Sequence, residues 1–218
     1  MDHTINNLVR IEKEIQLKIP KSKTNPVIVA VSKTFPMTDI LPLINHGHIH
    51  FGENKIQEAV EKWTDIKNDF PHIQLHMIGK LQTNKVKYVI PLFDYIHSLD
   101  NLKLAEKISK EQIKYKKHIK IFIQVNIGQE PQKSGVQIDD LDNFYEICSL
   151  KLGLKVVGLM CLPPDNMDAS PYFTKIKFLK DKLNLKDLSI GMSNDYLEAI
   201  EHDSTFLRIG SKIFGQRD

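Results

Sequence analysis

Short runs of apolar, mostly β-branched residues alternate with helical segments along the chain, and this alternation limits the possible folds more than any other feature. The run Val27–Val31 is too short for a typical helix and is typical of a buried parallel strand. Seven further strands are predicted, at His48–Gly52, Gln74–Ile78, Tyr95–Leu99, Ile119–Ile127, Val156–Leu162, Leu188–Met192 and Thr205–Ile209. Because a helical segment follows each strand, the pattern predicts right-handed parallel βαβ units.

Helical spacing of apolar residues marks the connecting segments. Residues 3–18 form an apolar stripe, and a loop rich in Lys and Pro is expected over residues 20–26. Two further helices are predicted around Asn84–Ile90 and over Asn101–Tyr115. Two others are marked by apolar residues at helical spacing, one by Ile56, Ala59, Val60 and Trp63, and the other by Leu141, Phe144, Tyr145 and Cys148. Ser170 and Ser193 are predicted to cap the helices that they precede.

Eight strand–helix units are the number that closes a (β/α)8 barrel, so we predict a TIM barrel with an extra N-terminal helix. The 218 residues are fewer than the usual ~250 but lie within the range of this fold. A doubly wound open sheet is the alternative. Since no composition break divides the chain, we expect one domain over residues 1–218.

Composition excludes several classes of protein. The formal charge is +3 and the basic residues are dispersed, which is too weak a signal for nucleic-acid binding, so we expect no nucleic-acid partner. Cys148 and Cys161 form no CxxC pair, so neither a disulfide framework nor a cysteine zinc site is indicated. No segment has the apolar length of a secretory signal or of a membrane-spanning helix. We therefore expect a cytoplasmic protein without a membrane partner.

Lys33 directly follows the first predicted strand, at the barrel end where active sites lie. Partial desolvation in a barrel mouth favours the neutral form of an amine, which is a nucleophile that forms Schiff bases with carbonyl groups. The alternative is an ordinary solvated loop lysine.

Two turns near the C-terminus carry backbone donors and hydroxyl groups. They are Gly191-Met192-Ser193 and Gly210-Ser211, after the seventh and eighth strands, where barrels commonly bind phosphate. Simple helix capping by Ser193 and Ser211 uses the same donors and is the alternative. Arg208 lies within the last strand, where it either faces a polar barrel mouth or forms a structural ion pair, for example with Glu53.

Histidines give weaker signals. His46, His48 and His50 alternate and could share one face of a strand, but no other residue completes a metal site, so we expect none. His76 lies within the third predicted strand, where it could face the pocket or be a core histidine.

Eight motifs, in order and over nearly the whole chain, carry a resemblance to a known family. They are VIVAVSKTFP, HFGENKIQEAVEK, HMIGKLQTNK, IHSLD, IQVNIGQEPQKSGV, GLMCLPP, LSIGMSNDYLEAI and STFLRIGSKIFGQRD. The sequence resembles the pyridoxal phosphate homeostasis proteins, also called proline synthetase co-transcribed homologues. The resemblance implies a barrel like the N-terminal domain of alanine racemase that binds pyridoxal 5′-phosphate (PLP).

The resemblance also implies site residues. Lys33 would bond the cofactor aldehyde, Arg208 would face the pyridine nitrogen, and the remaining implied residues are Ser193, Gly210 and Ser211 at the phosphate and Asn54, His76 and Met160 along the pocket. Lys80 stands where a small residue is frequent in the family, and Ser211 is often threonine there. Neither departure removes a required group.

A carrier role in vitamin B6 and amino-acid homeostasis is the function that we expect. An arginine at the pyridine nitrogen cannot give up its proton, so the ring would be a poor electron sink. Because the chain ends at Asp218, we also expect no second domain to complete a substrate site. A slow racemase and a phosphate-ligand barrel enzyme without the cofactor are the alternatives.

We further expect a monomer that passes PLP transiently to apo-enzymes. Lys133, in the loop after the fifth strand, is a candidate for transient contact with the cofactor or an ordinary solvated loop lysine.

Overall fold

Eight parallel strands form a closed barrel in a computed structural model that describes residues 2–19 and 25–216. The strands are β1 (Val27–Val31), β2 (His50–Glu53), β3 (Gln74–Met77), β4 (Tyr95–Leu99), β5 (Lys120–Val125), β6 (Lys155–Cys161), β7 (Asp187–Met192) and β8 (Phe206–Ile209). Because β1 pairs with both β2 and β8, the sheet has no edge. The predicted barrel is confirmed, and the open-sheet alternative is wrong.

Helices surround this barrel in the predicted order. They are α1 (His3–Lys18), α2 (Met37–Asn45), α3 (Ile56–Asp69), α4 (Val86–Leu92), α5 (Leu102–Tyr115), α6 (Leu141–Glu146), α7 (Ser170–Lys182), α8 (Tyr196–Glu201) and α9 (Ser211–Phe214). The extra helix α1 packs against α2, α8 and α9. A single π-helical turn, Ile147–Lys151, continues α6. Of the predicted loop 20–26, residues 20–24 lie outside the described part of the chain.

Strand boundaries differ from the prediction where burial extends beyond strand pairing. Ile119 and Ile127 are both buried, so their apolar run exceeds β5, which spans only Lys120–Val125. The second strand begins at His50 rather than His48, because His46 is the cap residue that follows α2 and Gly47 turns the chain with a φ of +95°. An apolar run thus predicts a buried segment better than it predicts hydrogen-bonded pairing.

Two apolar regions lie on either side of the strands. The larger one packs the helices onto the barrel and includes Trp63 and Phe173. The smaller one fills the barrel interior and consists of Val29, Tyr95, Phe122, Met160 and Phe206. Because this interior is packed with side chains, it is a core rather than a channel.

Both cysteines are buried and free. Burial raises the pKa of the Cys148 and Cys161 thiols to about 12, so neither is a reactive thiolate. Among residues 2–19 and 25–216, no helix combines the length and apolar character that crossing a membrane requires.

Candidate functional site

A cavity of about 940 Å³ lies at the C-terminal ends of the strands, where barrel active sites occur. Its volume is in the upper part of the range of roughly 300–1,000 Å³ that small-molecule sites occupy. Six of the eight residues implied by the family resemblance line it: Lys33, Asn54, Ser193, Arg208, Gly210 and Ser211. The structure therefore brings together an amine, a guanidinium and the two phosphate-type turns in one cavity.

Lys33 is half-buried in the turn that follows β1, and the network behind this turn fixes its path. The amine of Lys62, on α3, donates to the backbone oxygen of Ser32 at 2.9 Å. Glu58, also on α3, accepts from the backbone N–H of Thr34. Since hydrogen bonds hold the residues on both sides, Lys33 is attached to a fixed backbone rather than to a loose loop.

Glu53 is the buried centre of that network. Its Oε1 accepts from the Ser32 hydroxyl at 2.8 Å, the Lys62 amine at 3.0 Å and the Trp63 indole N–H at 3.0 Å. The proposed ion pair between Arg208 and Glu53 is wrong, because Glu53 is directed toward α3 and has Lys62 as its cation. The sequence spacing does not show whether Arg208 or Lys62 is the ion-pair partner of Glu53.

Arg208 is buried in β8 and also lines the cavity. Its Nη1 donates to the hydroxyl and the backbone oxygen of Ser189 at 2.6 Å, and its Nη2 donates to the Cys161 backbone oxygen at 3.0 Å. Burial lowers the pKa of Arg208 to about 10, so the group stays charged at neutral pH. Because these acceptors are neutral, the buried cation remains available to an acceptor in the cavity.

Ser193 does not cap α8 as predicted. Its hydroxyl oxygen instead accepts from the backbone N–H groups of Gly210 and Lys212, at 3.3 Å each, which places it at the start of α9. Asp195 occupies the cap position of α8. A hydrogen-bonded contact therefore connects the loop after β7 to the turn after β8. Both bonds are longer than the usual ~2.9–3.0 Å, so the two backbone N–H groups have only weak hydrogen bonds.

Ser170 is likewise not a cap. Ala169 stands at the cap position of α7, and the Asp168 carboxylate accepts from the Ser170 backbone N–H at 3.0 Å. The acceptor Asp168, the cap position Ala169 and the first helical residue Ser170 are consecutive, so the sequence alone does not show which of them begins the helix.

Asn54 is positioned by an unusually close backbone approach. A Cβ atom at Gly79 would lie 2.4 Å from the backbone oxygen of Asn54, closer than atoms can pack. Glycine in the HMIGK motif thus lets the loop after β3 support the loop after β2. Lys80, the departure from the family pattern, is exposed.

His76 and Met160 are not among the residues that line the cavity. His76 is fully buried inside the barrel, where its ring stacks on Tyr95 with 4.2 Å between ring centroids. Met160 belongs to the same interior region. The family resemblance implies both residues along the pocket, and the sequence left a core position open for His76. A position within a strand does not distinguish a cavity-lining layer from the packed layer below it.

The three alternating histidines do not form a metal site. His46 is exposed at the end of α2, whereas His50 contacts His76, with 3.0 Å between ring nitrogens. In the described part of the chain, no group of three or more His, Cys, Asp or Glu residues could hold a metal ion.

The cavity has an acidic side that the sequence analysis missed. It consists of Asp165 and Asp168 in the loop after β6, and Asp195 and Glu198 near α8. Burial, and then Asp168, raise the pKa of Glu198. These residues resemble ordinary loop acids in the sequence, and only the cavity that they share with Lys33 and Arg208 distinguishes them.

Lys133 lies beside this loop. Its amine is 2.9 Å from a Glu130 carboxylate oxygen and donates to the Pro163 backbone oxygen at 3.4 Å. It is outside the cavity-lining set.

Comparison with known proteins shows which family this chain belongs to. The family model described as the alanine racemase N-terminal domain matches residues 3–218. A pyridoxal phosphate homeostasis protein from Aquifex aeolicus is 37% identical over 219 residues, which cover 96% of this chain and 95% of the relative. The chain belongs to the pyridoxal phosphate homeostasis protein family. Its Escherichia coli K12 relative is 32% identical and covers 100% of this chain and 98% of its own length.

Solved structures agree with this membership. PipY from Synechococcus elongatus, a structure with PLP bound, has a TM-score of 0.86 and 29% identity, covering 97% of this chain and all of that one. Alanine racemase from Corynebacterium glutamicum has a TM-score of 0.69 and 13% identity, covering 98% of this chain and 61% of that one. At that identity the racemase shares the fold alone with this member of the homeostasis family.

Proposed function

We propose that this protein binds pyridoxal 5′-phosphate as a Schiff base on Lys33 and acts in PLP and amino-acid homeostasis, without robust catalytic activity. One observation carries the proposal: a single cavity is lined by Lys33, by Arg208, and by Ser193 and Gly210 from the loops after β7 and β8. The names of the relatives and the PLP-bound PipY structure support it.

The chemistry of the donor set fits each part of the cofactor. The weakly satisfied N–H groups of Gly210 and Lys212, with the hydroxyl groups of Ser193 and Ser211, suit a phosphate group. The buried guanidinium of Arg208 suits a neutral ring nitrogen that accepts a hydrogen bond. We assign Asn54 to the cavity wall, and His76 and Met160 to support from the packed layer rather than to direct contact.

The bond itself needs only the amine of Lys33. The cofactor supplies an aldehyde, the neutral amine adds to its carbon, and a C=N bond forms with the loss of one water. Addition of water reverses the reaction. The protein can therefore hold a reactive aldehyde and release it unchanged, as a carrier requires.

Arg208 supports a role without robust catalysis. A guanidinium whose pKa is about 10 does not protonate a ring nitrogen at neutral pH, so the ring withdraws electrons weakly. A slow PLP-dependent amino-acid racemase is the second candidate, because the barrel is shared with alanine racemase. A phosphate-ligand enzyme without PLP is a third candidate, and the spectrum described below tests it.

The rest of the proposal concerns the domain organisation, cellular location, oligomeric state and partners of the protein. We infer one domain over residues 1–218, a cytoplasmic monomer, and transient contact with PLP-dependent apo-enzymes that receive the cofactor. Free, buried Cys148 and Cys161 agree with a reducing compartment. Transfer of PLP from the Lys133→Ala variant at an unchanged rate would exclude a role for that loop lysine.

The test is retention of the cofactor by purified protein. Protein incubated with PLP and then desalted is expected to keep a visible absorption band at one equivalent, and Lys33→Ala is expected to lose it. Lys55→Ala, which removes an exposed lysine beside Asn54, is the matched control and is expected to keep the band. A colourless wild type would contradict the proposal, and amino-acid turnover that disappears in Lys33→Ala would favour the racemase.

A further inference from the structure

A row of hydrogen-bonded side chains runs through the barrel interior and ends at Arg208. It links His50 on β2, His76 on β3, His97 on β4 and Ser189 on β7. The nitrogen of His50 is 3.0 Å from that of His76, His76 is 2.9 Å from His97, and the Nδ1 of His97 is 2.8 Å from the Ser189 hydroxyl oxygen. The Ser189 hydroxyl accepts from Arg208 at 2.6 Å.

Counting donors gives this row a single direction. Arginine only donates, so the Ser189 oxygen accepts from Arg208. A hydroxyl oxygen can accept two hydrogen bonds but has one hydrogen to donate, and the other neighbour described for Ser189 Oγ is His97 Nδ1. Because no other acceptor is described for this buried hydroxyl, we take its hydrogen to be donated to Nδ1. A neutral His97 then carries its proton on Nε2 and donates to Nδ1 of His76. The same step repeats from Nε2 of His76 to Nδ1 of His50.

The surroundings keep these rings neutral and fixed. Burial lowers the pKa of His76 and of His97 well below the usual value, and it lowers that of His50 to about 4. His76 stacks on Tyr95, and His97 stacks on Phe122 with 4.3 Å between ring centroids. Rings held in stacks cannot turn to exchange partners without disturbing the packed interior.

The two ends of the row lie at opposite ends of the strands. Arg208 lines the cavity at the C-terminal ends, whereas His50 lines a second cavity of about 370 Å³ near the N-terminal ends of β1 and β2. Hydrogen bonds in a low-dielectric interior polarise one another along a chain. A new acceptor at one end is therefore expected to change the strength of the other bonds in the row.

We propose that Ser189, His97, His76 and His50 form a one-way hydrogen-bonded row that positions the Arg208 guanidinium in the cavity and transmits occupancy of the cavity to His50. The second part rests on the proposed function, because the occupant is the acceptor nitrogen of PLP. The direction of the row does not rest on it and can be measured without the cofactor. Ser189 and the three histidines are positioning residues, since they act through Arg208.

The first experiment records the ring nitrogen resonances of the full chain labelled with 15N-histidine, at pH 7 and without PLP. His50, His76 and His97 are assigned through single His→Gln variants. All three are expected to be neutral with the proton on Nε2. A proton on Nδ1 of any of them, or a charged ring, would overturn the direction of the row.

The second experiment adds PLP to the same sample. The resonances of His97 and His50 are expected to shift as the cavity fills, and the shift at His50 is expected to disappear in Ser189→Ala. An unchanged His50 at saturation in the wild type would overturn transmission. If wild-type protein takes up no PLP at all, the proposed function fails instead, while the first experiment still decides the direction.

The third experiment tests positioning. Ser189→Ala removes a hydrogen bond to a charged group, so we expect PLP to dissociate about 10-fold faster. Ser204→Ala is the matched control, because its buried hydroxyl donates to the Ile190 backbone oxygen outside the row. Borohydride is still expected to attach the cofactor to Lys33 in both variants. Equal dissociation from Ser189→Ala and the wild type would overturn positioning by the row.

Discussion

Single side chains determine how firmly the amine of Lys33 is presented. Lys33 itself contributes the nucleophile, but its direction depends on the residues that hold the turn after β1. Glu53 is central among them, because one buried carboxylate oxygen accepts from Ser32, Lys62 and Trp63. Removing that carboxylate leaves the Lys62 ammonium, which is almost fully buried, without its most buried partner.

Glu53→Ala is therefore expected to reduce both stability and cofactor uptake. Breaking a buried ion pair by deleting one partner costs about 3–5 kcal/mol when the other charge is left unpaired. We expect a smaller loss here, because Lys62 keeps Glu58 as an ion-pair partner at 2.9 Å. The loosened turn is also expected to lower the rate at which Lys33 captures the aldehyde. Urea unfolding measures the first effect and stopped-flow absorbance the second. Glu61→Ala, an exposed acid on α3, is the control. A Glu53→Ala protein as stable as that control would contradict the role given to Glu53.

The loop after β7 contacts the turn after β8 at the start of α9, where Ser193 supports that turn. The sequence predicts a polar phosphate-type site there because Gly-Ser turns follow two consecutive strands. It does not predict that Ser193 accepts from Gly210 and Lys212, since that contact depends on how two loops pack and not on local spacing.

Ser193→Ala is expected to separate binding of phosphate from binding of the ring. The variant loses a hydrogen-bonding group at the phosphate position, so the Kd for PLP should rise about 10-fold. The Kd for pyridoxal, which lacks the phosphate, should change less than about 2-fold. Titrations followed by absorbance measure both constants, with Ser170→Ala on α7 as a control. Equal losses for the two ligands would show that Ser193 affects the whole cavity.

The same contrast between local and tertiary information holds for the strands. Their number and order follow from short apolar runs such as Val27–Val31, because a buried parallel strand needs apolar residues on both faces. The ends of β5 do not follow, since Ile119 and Ile127 are buried without pairing. The partners of Arg208 do not follow either, because they come from β6 and β7, far away in the chain.

The molecule as a whole contains several histidines that folding makes difficult to protonate. Burial lowers the pKa of His48 and His50 to about 4, and lowers those of His76 and His97 as well. In the unfolded chain these groups titrate near 6.5. Between about pH 6.5 and 4 the unfolded state therefore binds more protons than the folded state. The histidine contribution to stability is complete above pH 6.5 and is lost as the pH falls through that window.

We expect the free energy of unfolding to fall from pH 7 to pH 4.5, by at most about 1.4 kcal/mol per pH unit for each histidine. The raised pKa values of Asp187 and Glu198 act in the opposite direction, so a comparison of variants is needed. Urea unfolding of His76→Gln should show a shallower dependence on pH than that of His46→Gln, which replaces an exposed histidine. Equal slopes would contradict a neutral, buried His76.

The most direct test of the account is the chemical identity of the residue that bonds PLP. Protein loaded with PLP, reduced with borohydride and digested with trypsin is expected to carry one pyridoxyl phosphate group on Lys33, within a peptide spanning residues 24–55 that is not cleaved at Lys33. Fragmentation by mass spectrometry locates the group. A label on another lysine, or on none, would contradict the central claim that the amine at the end of β1 holds the cofactor.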